Sequence, residues 1–248
     1  MKKKKRIILL GGLTVVIALL FVAWNSWFSS TKVGFINYQV INLGEISKAN
    51  DNPFIKLGEI STDDLDKLNS YDMVFINAMG LRITEEQRAV IQKAADKGLP
   101  VLSTAVTNPA NNICSIDSAT AAPLREYLGN GGRRNYRSML NYVRKAIDRK
   151  LTSVHEPETV QKAASEMLYH TDPKNPDEEA MGFNTISEYN RFLKDNGLWK
   201  ENAPRIIITG QMGEPTGLIK KLEETGNVVY PVRRMKSFIT RHQIDSVQ

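Results

Sequence analysis

Cysteine, histidine and a charge excess spread through the body are what this sequence has least of. Its 248 residues include one Cys and three His. One cysteine excludes an intrachain disulfide framework and any multi-cysteine zinc or iron–sulfur site within the chain. Cys114 reads instead as a small buried apolar residue. The histidines, His155, His170 and His242, form no paired-ligand spacing such as H-E-x-x-H. The sequence also lacks a Gly-Lys-Ser/Thr phosphate loop, a G-x-S-x-G nucleophile elbow and an EF-hand spacing. At 42% hydrophobic and 24% charged, it is too apolar and too balanced for a disordered chain.

The net charge of +6 comes from 33 Lys+Arg against 27 Asp+Glu. Five of those cations are Lys2, Lys3, Lys4, Lys5 and Arg6; without them 28 basic residues face 27 acidic ones. The excess belongs to the first six residues, so the body offers no general reason to bind nucleic acid.

After that basic tail, Ile7 to Phe28 is uncharged and about the 20 residues long that a bilayer core requires. Trp24 and Trp27 stand at its far end, where aromatic rings favour the membrane–water interface. The lysines keep the N-terminus in the cytoplasm. The expectation is a single-pass anchor in the cytoplasmic membrane with the body in the periplasm or outside. A cleaved signal peptide is the alternative; it wants small residues before its cut, and Trp24, Trp27 and Phe28 spoil most registers.

From Thr31 onward the pattern alternates. Lys32–Tyr38, Phe54–Ile60, Asp72–Ala78 and Leu99–Ala105 are of strand length and mostly apolar. Ser61 to Asp64 reads as a helix N-terminus, and Thr84 with Gln87 as a capping box. Pro204–Gly210, a helix from Pro215 to Gly226, and Asn227–Val232 repeat the strand–helix–strand order. The fold class predicted is α/β: an N-terminal transmembrane helix, then Rossmann-like or flavodoxin-like parallel sheet units with a helical middle segment. The expected divisions are 1–31 for tail and anchor, 32–117 for a first α/β unit, 118–200 for the helical segment, and 201–248 for a second α/β unit that is cut short.

Three groups of residues are candidates for a site. The first is Gly129-Asn130-Gly131-Gly132-Arg133-Arg134-Asn135, a glycine bend before a helix, with Arg137 one turn on. Backbone N–H groups at such a bend, and the three arginines, suit an anion. The bland alternative is an amphipathic helix whose apolar stripe is Tyr136, Met139, Leu140, Val143, Ala146 and Ile147. Arg144, Lys145, Arg149 and Lys150 would then be solvated. The second group lies in loops after strands, at Asn77, Gly80, Thr104, Gly210 and Gly213, because open α/β sheets bind ligands beyond the carboxyl ends of their strands. The third is His170, a possible ligand for a tetrapyrrole metal. These residues alone choose no reaction.

A series of motifs resembles one family. Tyr127-Leu128, Gly131-Gly132, Asn135 and Leu140-Asn141-Tyr142 are similar to a segment of the cobaltochelatase large-subunit family, which also contains the porphyrin-binding subunit of magnesium chelatase. Tyr169-His170-Thr171-Asp172 resembles its Y-H-P-D element, with Thr171 in place of proline; Ile186–Leu193, Arg205–Gly210 and Leu218–Val232 follow in the family order. With its apolar N-terminal segment, the chain looks like the membrane-anchored paralogues beside haem-uptake genes in Bacteroidetes. The resemblance implies the N-terminal part of a longer subunit that inserts a divalent metal into a tetrapyrrole (haem, porphyrin or corrinoid) or removes it. This stretch alone is then expected to be inactive. The resemblance also implies partner chelatase subunits or haem-uptake proteins. Arg133, Arg134 and Arg137 would grip macrocycle carboxylates, and His170 would serve a later step. The competing reading is a non-enzymatic, membrane-anchored module that binds haem or another ligand and passes it on.

Overall fold

The computed structural model describes residues 2–162, 168–174, 180–209, 215–233 and 235–242, without the side chains of residues 2–11, 25, 26, 237 and 242. It divides into two compact units, residues 1–161 and 162–248.

The first unit opens with helix α1 (Lys2–Trp27). Every large apolar side chain described between Leu13 and Trp24 is exposed. Yet no helix among the described residues is long and apolar enough to cross a membrane. The spanning segment expected over residues 7–28 is therefore not supported as such; the structure supports a helix there, and residues 7–11 of that span lie outside the described side chains.

Behind α1 comes a parallel sheet. Its strands are β1 (Thr31–Ile36), β2 (Ile55–Glu59), β3 (Met73–Asn77) and β4 (Val101–Thr104), in the order β2-β1-β3-β4. Both faces are covered over β1, β3 and β4, which is why those strands read as near-continuous apolar runs rather than alternating ones; the edge strand β2 buries only Ile55. On one face, Val33, Phe35, Met73 and Phe75 pack against α2 (Val40–Ala49), α4 (Ser118–Asn130) and α5 (Arg133–Tyr142) through Ile46, Leu124 and Met139. On the other, Ile36, Val74 and Ile76 meet Ile91, Ala94 and Ala95 of α3 (Glu85–Asp96). Thr84 and Gln87 form the expected capping box at the start of α3. Ser61 to Asp64 lead only into a short 3₁₀ turn, Leu65–Ser70, with no side-chain cap.

Gly34 and Gly58 face each other in register across β1 and β2, under the ring of Tyr71. A Cβ at Gly58 would sit 2.4 Å from the Tyr71 hydroxyl and 3.0–3.1 Å from its ring.

The second unit is also α/β but has little regular sheet. An antiparallel pair, β5 (Leu168–His170) and β6 (Met181–Phe183), occupies part of the segment expected to be helical. It is followed by α6 (Ile186–Asp195), β7 (Arg205–Ile208), α7 (Thr216–Glu224), β8 (Val228–Pro231) and α8 (Met235–His242). Strands β7 and β8 are parallel, as the strand–helix–strand pattern predicts. Alternation along β8 sends Val228 and Tyr230 to a core with Tyr189, Leu193 and Phe238, and Val229 to a second with Ile208 and Ile219.

Two glycines separate packing from helix propensity. Gly58→Ala should destabilise the fold by about 1–3 kcal/mol through overpacking against Tyr71. Gly44→Ala, inside α2 with open space around it, should stabilise by about 0.5–1 kcal/mol. Urea denaturation of the two variants checks the opposite signs.

Candidate functional site

Strand β1 leads through α2 to β2, whereas β3 leads through α3 to β4 on the other side. The chain thus departs in opposite directions from neighbouring strands, and the crevice between their carboxyl ends is where this architecture binds ligands. Asn77, Gly80 and Thr104 all lie at that edge. The structure adds Asn37, Tyr38 and Thr107. Asn37, with φ +59°, donates from Nδ2 to the carbonyls of Asn77 at 2.7 Å and Met79 at 3.1 Å. Asn77 Oδ1 accepts from Met79 N–H at 3.1 Å, and Thr104 Oγ1 donates to the Ile76 carbonyl at 3.3 Å. Gly80, at φ +63°, donates its N–H to Thr107 Oγ1 at 3.4 Å. Burial pushes the Tyr38 hydroxyl up to about 12, against the opposing hydrogen bond with Thr104. Ala105, just past β4, holds φ +49°, a strained conformation for a residue with a Cβ. The edge is a rim of polar groups that mostly satisfy one another. Beside it, a cleft of about 450 Å³ is lined by Arg82, Thr84, Gln87, Arg88 and Asn108. Gly210 and Gly213 lie outside the described residues.

The basic bend is built as its sequence requires. Gly131 and Gly132 take φ +64° and +84°, which a side chain would resist, and so turn α4 directly into α5. Gly132 leaves the first turn of α5 without a side-chain cap. Arg133 is half-buried there and Arg134 exposed. Arg137 is not free: its Nε lies 3.3 Å from Asp51 Oδ2.

The apolar stripe expected along α5 is buried, with Met139, Leu140 and Val143 in the core and Tyr136 and Ile147 against it, but a polar row is buried as well. Asn135, Ser138, Asn141 and Arg144, spaced three apart, are all buried. They grip the returning segment 152–161. Asn135 accepts from Gln161 N–H at 2.9 Å, and Ser138 Oγ accepts from Glu158 N–H at 3.1 Å. Asn141 meets Asn52, which reaches the Ser153 carbonyl at 2.7 Å. Arg144 donates to the Thr152 and Ser153 carbonyls. A π turn at Val143–Ile147 adds a residue to the last turn and rotates Arg144 inward. Arg144 and Lys150, expected to be solvated, are buried at 0% and 8% exposure; Lys150 pairs with Asp148 at 3.2 Å. Burial pushes the Arg144 guanidinium down, and Asp148 opposes that shift.

Cys114 is exposed rather than buried. It bridges antiparallel to Leu102, and strand alternation turns Ile113 inward and Cys114 outward. His155 is also exposed, 4.0 Å from Asp51.

His170 sits at the end of β5 with 3% exposure. Its Nδ1 is 2.6 Å from the Thr171 carbonyl and its Nε2 is 2.8 Å from Glu223 Oε1 on α7. A carbonyl only accepts, so Nδ1 carries hydrogen. Phe192 and Tyr189 wall the ring at 5.1 and 6.0 Å. Both ring nitrogens are thus engaged inside the second unit, and neither is presented to a ligand. No group of three or more His, Cys, Asp or Glu among the described residues is placed to hold a metal ion. The Glu223 partner carries no sequence signal: it is an ordinary helical glutamate 53 residues from His170.

Residues 125–247 match the family model CobN/Magnesium Chelatase. The match begins on α4 and takes in the basic bend, the buried polar row of α5 and the His170–Glu223 pair. It supports a chelatase-like, tetrapyrrole-related function at the level of the family. No curated protein and no solved structure matches the chain.

Glu223→Ala leaves a buried histidine nitrogen without its hydrogen-bond partner and should cost about 1–3 kcal/mol. Leu218→Ala on the exposed face of α7 should stay within about 0.5 kcal/mol. Urea denaturation followed by near-UV circular dichroism reads both.

Proposed function

We propose that this chain is the membrane-anchored N-terminal part of a chelatase-type subunit that holds a tetrapyrrole while a divalent metal enters or leaves it. The match over residues 125–247 carries the reading. The basic bend supplies the chemistry that such a substrate demands. A porphyrin or haem carries ionised carboxylates on a flat apolar ring, so it needs cations and N–H donors at one margin. Arg133 and Arg134 stand in the uncapped first turn of α5. The first N–H groups of a helix lack intrahelical partners, and its dipole favours negative charge there. A carboxylate at the bend would accept from those amides and from the two guanidinium groups. Arg137 plays a different part, holding α5 to Asp51.

The exposed apolar shell of α1 supports an anchor, with Lys2 to Arg6 on the cytoplasmic side and the body in the periplasm or outside. A body on that side fits haem or a related macrocycle arriving from uptake proteins.

Titration of the full chain in detergent with haem and with metal-free porphyrin, followed at the Soret band, tests the reading. The expected result is saturable binding of both, weakened about tenfold or more by Arg133→Ala combined with Arg134→Ala. Absence of binding, or equal binding by the double variant, would contradict it.

A further inference from the structure

We infer that the amino edge of the four-stranded sheet rests on the headgroup layer of an anionic bilayer, the one that α1 enters. This rests on the reading of α1 as an anchor and adds to it which face of the body meets lipid.

Only Phe28, Ser29 and Ser30 separate α1 from β1, and they are not a free linker. Leu151 N–H donates to the Trp27 carbonyl at 2.8 Å, and Arg144 Nη1 to the Ser29 carbonyl at 3.2 Å. Wherever the end of α1 lies, the starts of β1 and β2 lie beside it.

Three large apolar side chains are exposed at this junction: Trp27 at 48%, Phe54 at 38% and Leu151 at 65%. Leu151 is tied to Trp27. Thr31 N–H donates to the Phe54 carbonyl at 2.8 Å, and the Arg144 guanidinium lies 5.3 Å from the Phe54 ring. The three therefore continue the apolar shell of α1 onto the body instead of being scattered.

The charge around them is positive. Lys32 and Lys56 face each other in register at the starts of β1 and β2. Parallel strands force the intervening helices to run back, so the last turn of α2 brings Lys48 to this edge and the end of α3 brings Lys97. Arg149 follows the π turn. All five are exposed, and none forms an ion pair among the described residues. The helix dipole accounts for Lys48 and Lys97 taken singly. It does not account for Lys32, Lys56 and Arg149, or for apolar side chains among them. The nearby acids are engaged: Asp51 with Arg137, Asp148 with Lys150, and Asp72 with the Lys32 N–H. Aromatic and aliphatic side chains at interfacial depth, ringed by cations at phosphate height, are what a membrane–water interface selects.

The test uses the full chain in vesicles of phosphatidylcholine with a minority of phosphatidylglycerol. A nitroxide is placed on Leu151→Cys, Met79→Cys or Leu19→Cys, each in a Cys114→Ser background. Collisions with a water-soluble nickel chelate and with oxygen report depth. The expected result is a site 19 shielded from the chelate, a site 79 at the carboxyl edge open to it, and a site 151 with a chelate collision rate several-fold below that of site 79. In phosphatidylcholine alone, or with Lys48→Glu and Lys56→Glu, site 151 should move toward the site 79 value. A site 151 as open as site 79 while site 19 stays shielded overturns the docking surface and leaves the anchor standing. A site 19 open to the chelate overturns the anchor, and the docking surface with it. Shielding of site 151 that ignores both the lipid charge and the lysine variants overturns the anionic assignment.

Discussion

A single buried guanidinium organises the first unit. Arg144 has no exposed surface, and it donates to the carbonyls of Ser29, Phe54, Thr152 and Ser153 and to the hydroxyl of Thr31. Those five residues lie at the end of α1, the start of β1, the approach to β2 and the segment that returns over α5. The positive charge is balanced through Thr31, which accepts from Arg144 at 2.9 Å and donates to Asp148 at 2.5 Å. A buried charge is tolerated when its hydrogen bonds are complete. Here completeness depends on several chain segments arriving together, so their geometry is coupled to one side chain.

What the sequence revealed and what it hid follow from that. Strands β1, β3 and β4 were legible because burial on both faces writes nearly continuous apolar runs into short segments, whereas the edge strand β2, with only Ile55 buried, is less distinct. Helix α3 was legible from its capping box, which is local chemistry. Helix α2 was not: Gln39 provides no side-chain cap, Gly44 sits mid-helix, and Val40 and Ile41 are exposed, which blurs the apolar stripe. The pair β5–β6 has three residues in each strand, and its partners are joined by tertiary contacts that no local pattern encodes. Arg144 misled most, because a 3.6-residue period puts it among solvated cations and only the π turn brings it inside.

The candidate sites divide in a similar way. The carboxyl-edge loops were predictable from where strands end, and Asn77, Gly80 and Thr104 do meet there. Their mutual hydrogen bonding, and the part of Asn37 and Tyr38 in it, depends on strand order. The glycine bend kept its promise as geometry, since two consecutive positive-φ residues need glycine. It placed Arg133 and Arg134 in the first turn of α5 and Arg137 beside Asp51. His170, singled out as a possible metal ligand, instead has both ring nitrogens engaged, one of them by Glu223, far away in sequence. Most of the conspicuous polar residues, Arg137, Arg144 and His170 among them, are engaged in holding chain segments together.

The central claim is that α1 and the sheet form one piece, held by Arg144 at the amino edge. Hydrogen exchange of the Leu151 amide tests this most directly, because that N–H is bonded to the Trp27 carbonyl. The account predicts protection of Leu151 comparable to the amide of Thr31 in β1, and loss of both in Arg144→Met before the interior of β3 is affected. Free exchange at Leu151 beside a protected β1 would contradict it.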